Sequence, residues 1–175
     1  TVAEADHVVA DVDPARLRAL TEHPLDAAGD VQLSPISPLP TRFTLLLALR
    51  GAREADAAHR TVVHPSAPES ELDFLVSPGG DVPPCPTVTV LRPGDPALRP
   101  DGEHESVVLS AVVSTEAEWE DDGTVRRYTE LLLDAAGRAI PGLSSRLLWH
   151  EVRAPEHVAA ETGARSAVVP APSLA

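Results

Sequence analysis

An α+β fold is expected, built on a mixed, largely antiparallel sheet of about five strands backed by helices. Short strand-like runs recur at 43–49, 61–64, 87–91, 107–113 and 147–152, and Thr61 to Val63, Thr87 to Leu91 and Val107 to Val113 are the β-rich ones. Proline- and glycine-rich turns punctuate them, and short turns between successive runs favour antiparallel pairing over crossover connections. A stretch at 124–138 spaces its apolar residues at a helical period instead.

Taken in order, His7 to Ala10 is a short β-type run, and Asp13-Pro14 then starts a helix. Asp13 fits an N-cap, and Pro14 sits at the first helical position, where its missing N–H costs nothing. Residues 21–42 read as a linker, because Pro24, Pro35, Pro38 and Pro40 exclude helix interior and central strand. In the strand 43–49, Phe43, Leu45, Leu47 and Leu49 share one face. Leu46 and Ala48 make the other face apolar as well, so both sides are expected to be covered. Residues 50–60 are a polar connection, and Thr61 to His64 is a strand stopped by Pro65. Glu69 to Val76 is expected to be a short helix buried through Leu72, Leu75 and Val76. Thr87 to Leu91 alternates like a half-buried strand. Val107 to Val113, nearly all apolar, reads as the central strand. Thr115 with Glu118 fits a capping box, ahead of the helix expected at 124–138. That helix carries Val125, Tyr128, Leu131, Leu132, Ala135 and Ala136 on its apolar positions. Leu147 to Val152 is the last strand, and 155–162 a helical turn led by Pro155 and stopped by Gly163.

The chain of 175 residues is 43% hydrophobic but only 3% aromatic, so Val, Leu and Ala must build its core. Its net charge of −13 argues against nucleic acid as a partner and against simple electrostatic docking to anionic lipid. Cys85 is the only cysteine, so neither an intrachain disulfide nor a cysteine-based zinc cluster can form. The longest clean apolar run, Phe43 to Leu49, is far below the ~20 residues of a spanning helix. A soluble, cytoplasmic protein is expected.

Motifs of chemistry are sparse. His150-Glu151 begins like a zinc-protease helix, but Ala154 stands where the second histidine is needed. His59, His64, His104 and His157 have no partner at ligand spacing, so no metal site is expected. Gly142 to Arg146 does not form a nucleophile elbow, and Cys85 lies between prolines with no base near it. The acidic groups Asp11/Asp13, Glu103/Glu105 and Glu116/Glu118/Glu120 read as solvated faces. There is no GxGxxG, and Gly79-Gly80 leads into prolines rather than a helix.

Five pieces of the chain, in order, resemble the phytoene desaturase-like (carotenoid desaturase-type) flavoproteins. His7 to Pro14, HVVADVDP, is similar to that family's A-V-V-x-N-A-D-P. His59 before a short strand is similar to its HH-T-V start, with Arg60 in place of the second histidine. Pro86-Thr87 resembles its P-T-x-Y-V strand. Asp95 to Gly102, DPALRPDG, resembles its D-P-S-x-A-P-x-G turn. Ala154 to Val158, up to Gly163, resembles its T-P-x-D-F-x-x-x-x-G, whereas Arg165 to Pro170 departs from the glycines and aromatic usual there.

The resemblance implies the substrate-binding portion of a bacterial FAD-dependent oxidoreductase acting on an apolar isoprenoid or carotenoid-type substrate. It implies that 1–42 are a strand–helix edge of the FAD domain plus linker, and that 43–175 are the substrate-binding domain. FAD is implied for the full-length protein, with none expected on this chain alone, which lacks the phosphate-binding turn and is expected to be inactive. The missing FAD-binding domain is an implied partner, and a peripheral membrane contact is implied for the full-length protein. Ala10 and Asp11 would border the flavin's nucleotide, and Leu45, Leu47, Leu109 and Val113 would wall a substrate channel; no catalytic residue is assigned. The alternative is a non-catalytic module that binds apolar ligands or partners and has kept the fold without the chemistry.

Overall fold

A computed structural model of the chain describes residues 40–76, 85–98, 101–115 and 117–162, all within one compact unit, Pro35–Ala175. The expected strand and helix at 7–20 lie outside the described residues. Five strands, β1 (Pro40–Arg50), β2 (Arg60–Val63), β3 (Val88–Leu91), β4 (His104–Ser114) and β5 (Leu147–Arg153), form one sheet in the order β2-β3-β4-β1-β5. Every pairing is antiparallel, so the expected α+β fold holds in its wholly antiparallel form. The helices are α1 (Pro68–Val76), α2 (Asp122–Gly137), α3 (Leu143–Arg146) and α4 (Pro155–Thr162), with a 3-10 turn at Pro96–Leu98.

β4 is the middle strand, as its apolar run suggests, and it pairs with β1 along the whole of both strands, from Pro40 opposite Ser114 to Arg50 opposite His104. Two strands begin three residues before the expected position. β1 begins at Pro40 rather than Phe43, although a proline cannot donate to a sheet ladder. Pro40 is the first residue of the strand, the position where proline is tolerated, and β5 joins β1 only from Thr44 onward. β4 begins at His104 rather than Val107, because Glu105 finds partners inside the fold.

Alternation decides the core. Phe43, Leu45, Leu47 and Leu49 of β1 and Val107, Leu109, Ala111 and Val113 of β4 are buried, together with Val88 and Val90 of β3. Phe74 of α1 and Tyr128, Leu132, Ala135 and Ala136 of α2 pack against them. Burying each such side chain contributes about 1.5–3 kcal/mol for Val, Leu or Phe. The opposite face of β1 is only half-covered: Thr44, Leu46 and Ala48 keep intermediate exposure.

Two local readings are corrected. The cap of α2 is Asp121, not Thr115 with Glu118: the Asp121 carboxylate accepts from the Thr124 backbone N–H at 2.6 Å and from the Thr124 hydroxyl at 2.9 Å. The residues before it form a turn that buries Trp119, so the helix starts later than a capping box at 115 would require. Among the described side chains of α1 the buried one is Phe74, while Leu72 is 59% exposed and Leu75 half-buried; the expected burial of Val76 lies outside the described side chains. The ring of Phe74 reaches Trp119 and Tyr128, and this contact sets the rotation of the helix.

Candidate functional site

Four of the five aromatic residues meet at one end of the sheet, where Phe43 lies three residues from the start of β1. Phe43 lies 5.0 Å from Tyr128 and 5.2 Å from Trp119, ring centre to ring centre, and Phe74 stacks on Tyr128 at 6.2 Å. The Trp119 indole donates to the Ser114 carbonyl at 2.8 Å. The Tyr128 hydroxyl is buried without a hydrogen-bond partner among the described residues. Burial, with a smaller contribution from the Glu71 carboxylate, pushes its pKa far above the ordinary phenol value. Glu71 accepts from the Thr87 N–H and hydroxyl, each at 2.6 Å, and so ties α1 to the start of β3.

The other end of the sheet is ionic. The Arg92 guanidinium donates through Nε to Glu105 Oε1 at 2.7 Å and through Nη2 to Glu105 Oε2 at 3.0 Å and Glu54 Oε2 at 2.5 Å. Arg146 of α3 donates to Glu105 Oε2 at 2.8 Å and reaches Glu54 at 3.4 Å. Arg146 also binds the carbonyls of Arg50 at 2.9 Å and Gly51 at 3.1 Å, where Gly51 turns the chain at a φ of +86°. Hydrogen bonding to Glu105 raises the Arg92 pKa further, and Glu54 is held below the usual carboxylate range by its own backbone N–H and then by Arg92. With both Glu105 oxygens engaged by guanidinium groups, the network fastens three segments together and offers no free base or nucleophile. Glu105 therefore departs from the solvated reading of the Glu103/Glu105 pair. Starting β4 at His104 turns Glu105 inward opposite Leu49, and its arginines lie far away in sequence. Glu118 and Glu120 are exposed, as expected of a solvated face.

Beside this network His59 sits against Gly94. Gly94 N–H donates to His59 Nδ1 at 3.2 Å, and a Cβ at position 94 would come within 2.2 Å of the imidazole. Arg92 N–H donates to the His59 carbonyl at 2.8 Å. The histidine before β2 and the turn that begins at Asp95, two pieces far apart in sequence, thus share one corner of the fold.

Leu45, Leu47, Leu109 and Val113, the expected channel residues, all lie in the closed core beneath the helices, none more than 3% exposed. Ala10 and Asp11 fall outside the described residues. The accessible apolar surface lies on the opposite sheet face, where Val62 (37% exposed), Leu91 (37%), Val112 (41%) and Trp149 (54%) accompany the half-buried Leu46 and Val108. Sequence reasoning missed this face because both alternating sets of β1 are apolar.

Among the described residues no cluster of three or more His, Cys, Asp or Glu side chains is placed to hold a metal ion. His104 pairs with Asp101 at 2.8 Å, and His157 Nδ1 accepts from the Ala154 N–H at 3.3 Å. The half-buried Cys85 accepts from Arg138 at 2.6 Å. No described helix is long and apolar enough to cross a membrane. Comparison with protein-family models and with curated proteins finds no match to the chain.

Proposed function

We propose that the chain is the substrate-binding portion of an FAD-dependent, phytoene desaturase-like oxidoreductase acting on an apolar isoprenoid or carotenoid-type substrate. The observation that carries this reading is the partly accessible apolar face of the sheet. Helices α1 and α2 close one face into a core, and the other leaves aliphatic side chains and Trp149 accessible. A long hydrocarbon laid on Leu46, Val108 and Leu91 would lose water on its underside, at roughly 25 cal/mol per Å² of apolar surface removed. On this reading the face binds and orients the substrate, and the core behind it, which includes Leu45, Leu47, Leu109 and Val113, keeps the face rigid. On this reading an FAD-binding domain would hold a flavin with Ala10 and Asp11 at its nucleotide, and the flavin would supply the acceptor for a hydride from the substrate.

The test is made on the full-length protein. It should purify yellow or take up FAD, and its flavin should bleach when an isoprenoid polyene is added without oxygen. A folded, full-length protein that stays colourless and takes up no FAD overturns the reading.

A second reading, a non-catalytic module for apolar ligands, is favoured by Arg60, which replaces the second histidine of the resembled motif and stands exposed on the open face. It predicts saturable binding of a fluorescent lipid by this chain together with no FAD uptake by the full-length protein.

A further inference from the structure

The two edges of the sheet are guarded differently. β2, at one edge, is four residues long and is followed after one residue by Pro65. Short strands and nearby prolines are the usual devices that keep a sheet edge from pairing with another chain. β5, at the other edge, is seven residues long, LLWHEVR, with neither proline nor lysine. Its register shift lies at its start, where Leu148 has no partner across β1, and from Trp149 to Arg153 it runs regularly against Ala48 to Thr44. Over that stretch no backbone group of β5 bonds anything but β1 among the described residues. Alternate N–H and C=O groups therefore point away from the sheet, and Leu148 and Trp149 beside them are exposed.

The side chains on this edge complement themselves. Trp149, Glu151 and Arg153 lie on the open face with Ala48, Leu46 and Thr44, and His150 and Val152 lie on the helix-covered face with Leu47 and Leu45. A twofold axis perpendicular to the sheet at Glu151 would pair two copies of the strand antiparallel. Trp149 then stands opposite Arg153 of the second copy, twice, and His150 opposite Val152, twice. Glu151 and Glu161 hold the Arg153 guanidinium at 2.8 Å and 2.5 Å. They take its N–H groups and leave its flat face for the indole, the geometry of a cation–π pair. Only Glu151 meets its own kind, and its charge is already matched by Arg153 of the same strand. An axis at His150 would instead set Trp149 against Glu151 and Arg153 against the irregular start of the strand, losing both pairs.

We propose that the outer edge of β5 takes a second copy of this chain, by antiparallel β5–β5 pairing about Glu151, to form a continuous sheet of ten strands, five from each copy. The open faces of both copies then lie on one side of the joined sheet. The proposal does not rest on the flavoprotein reading, since strand pairing needs neither flavin nor substrate.

The experiment is sedimentation velocity of the 175-residue chain over a range of concentrations, at low and at high salt. A monomer–dimer equilibrium is expected. It should tighten as salt is raised, because screening weakens the repulsion between two bodies of net charge −13, while strand pairing itself is not ionic. Trp149→Lys sets a lysine against Arg153 of the other copy at two places and should weaken the dimer about a hundredfold. Val62→Lys, an equal change of charge at an exposed position of β2, should leave it unaltered. Both positions are exposed, so an unchanged far-ultraviolet circular dichroism spectrum is expected of both variants and certifies their fold. In a Cys85→Ser background, Glu151→Cys should cross-link to itself within the dimer through a short bismaleimide, and Leu72→Cys, exposed on α1, should not. A monomer at every concentration, a dimer untouched by Trp149→Lys or abolished by Val62→Lys, or cross-linking at position 72 as fast as at 151 overturns the proposal. So does a dimer that loosens as salt is raised, which would be held by charge on another surface.

Discussion

The two ends of the sheet are held by opposite physics. At one end Phe43, Phe74, Trp119 and Tyr128 exclude water by area and ring geometry. At the other, Arg92, Arg146, Glu54 and Glu105 hold the loop after β1, the segment after β3 and the short helix α3 by charge-assisted hydrogen bonds. The aromatic end needs no charged partner, since hydrophobic burial is non-directional. The ionic end does: a buried charge that loses its partner has no substitute for water, whereas a pair replaced together by apolar groups can be neutral.

The largest effect that breaks this contrast is expected at Glu105. Glu105→Ala leaves the buried Arg92 with only the exposed Glu54 as counter-charge and removes one anchor of Arg146. Chemical denaturation should show a loss of about 3–5 kcal/mol. The double variant Arg92→Met/Glu105→Leu should recover much of it, because no orphaned charge at position 92 is then left. If the double variant is as unstable as the single one, packing rather than charge holds that end.

Next in size is the aromatic end. Phe74→Ala should cost about 3–4 kcal/mol, the range for emptying a buried aromatic site. The loss should be insensitive to salt, unlike any residual effect at the exposed Glu54. Acid separates the ends as well. The Glu54 pKa is depressed in the folded protein, so its contribution is present above the ordinary glutamate pKa and fades as pH falls through the lowered one. Glu54→Gln should flatten that part of the acid limb without altering the response to Phe74→Ala.

How much of this was legible in the sequence follows from the range of each signal. β1 and β4 were legible because alternating and continuous apolar runs are local patterns. The first residues of β4 were not, since Glu103-His104-Glu105 reads as a polar loop until Arg92 and Arg146 arrive from distant segments. Which face of β1 the helices cover was unreadable for a different reason. Phe43, Leu45, Leu47 and Leu49 and the opposite set, Leu46 and Ala48, are both apolar, and only the packing of α2 chooses between them. The expected channel residues therefore became the wall of the core, and the accessible surface is one residue out of phase with them.

Tyr128 tests the aromatic end more finely. Its hydroxyl is buried without a partner among the described residues, a cost the ring's burial offsets. Tyr128→Phe should keep the ring contacts and raise stability by about 1 kcal/mol. The sign of the pH effect also follows. The phenol ionises near pH 10 when unfolded and well above that when folded, so the folded state holds the extra proton and stability falls as pH rises past about 10. The wild-type protein should lose about 1.4 kcal/mol per pH unit there relative to Tyr128→Phe. Parallel curves for the two proteins would mean that a water or another group already partners the hydroxyl.

The smallest effect sharpens the assignment of α1. Leu72 and Phe74 are two residues apart and so project nearly opposite each other on a helix; the sequence favours Leu72 as the buried one, and the fold buries Phe74. Leu72→Gln should therefore change stability by less than about 0.5 kcal/mol, as exposed substitutions do. A loss of several times that size would mean that Leu72 is covered in solution. It would put a contact on the outer side of α1 and move the aromatic end from a closed cluster to one face of a larger interface.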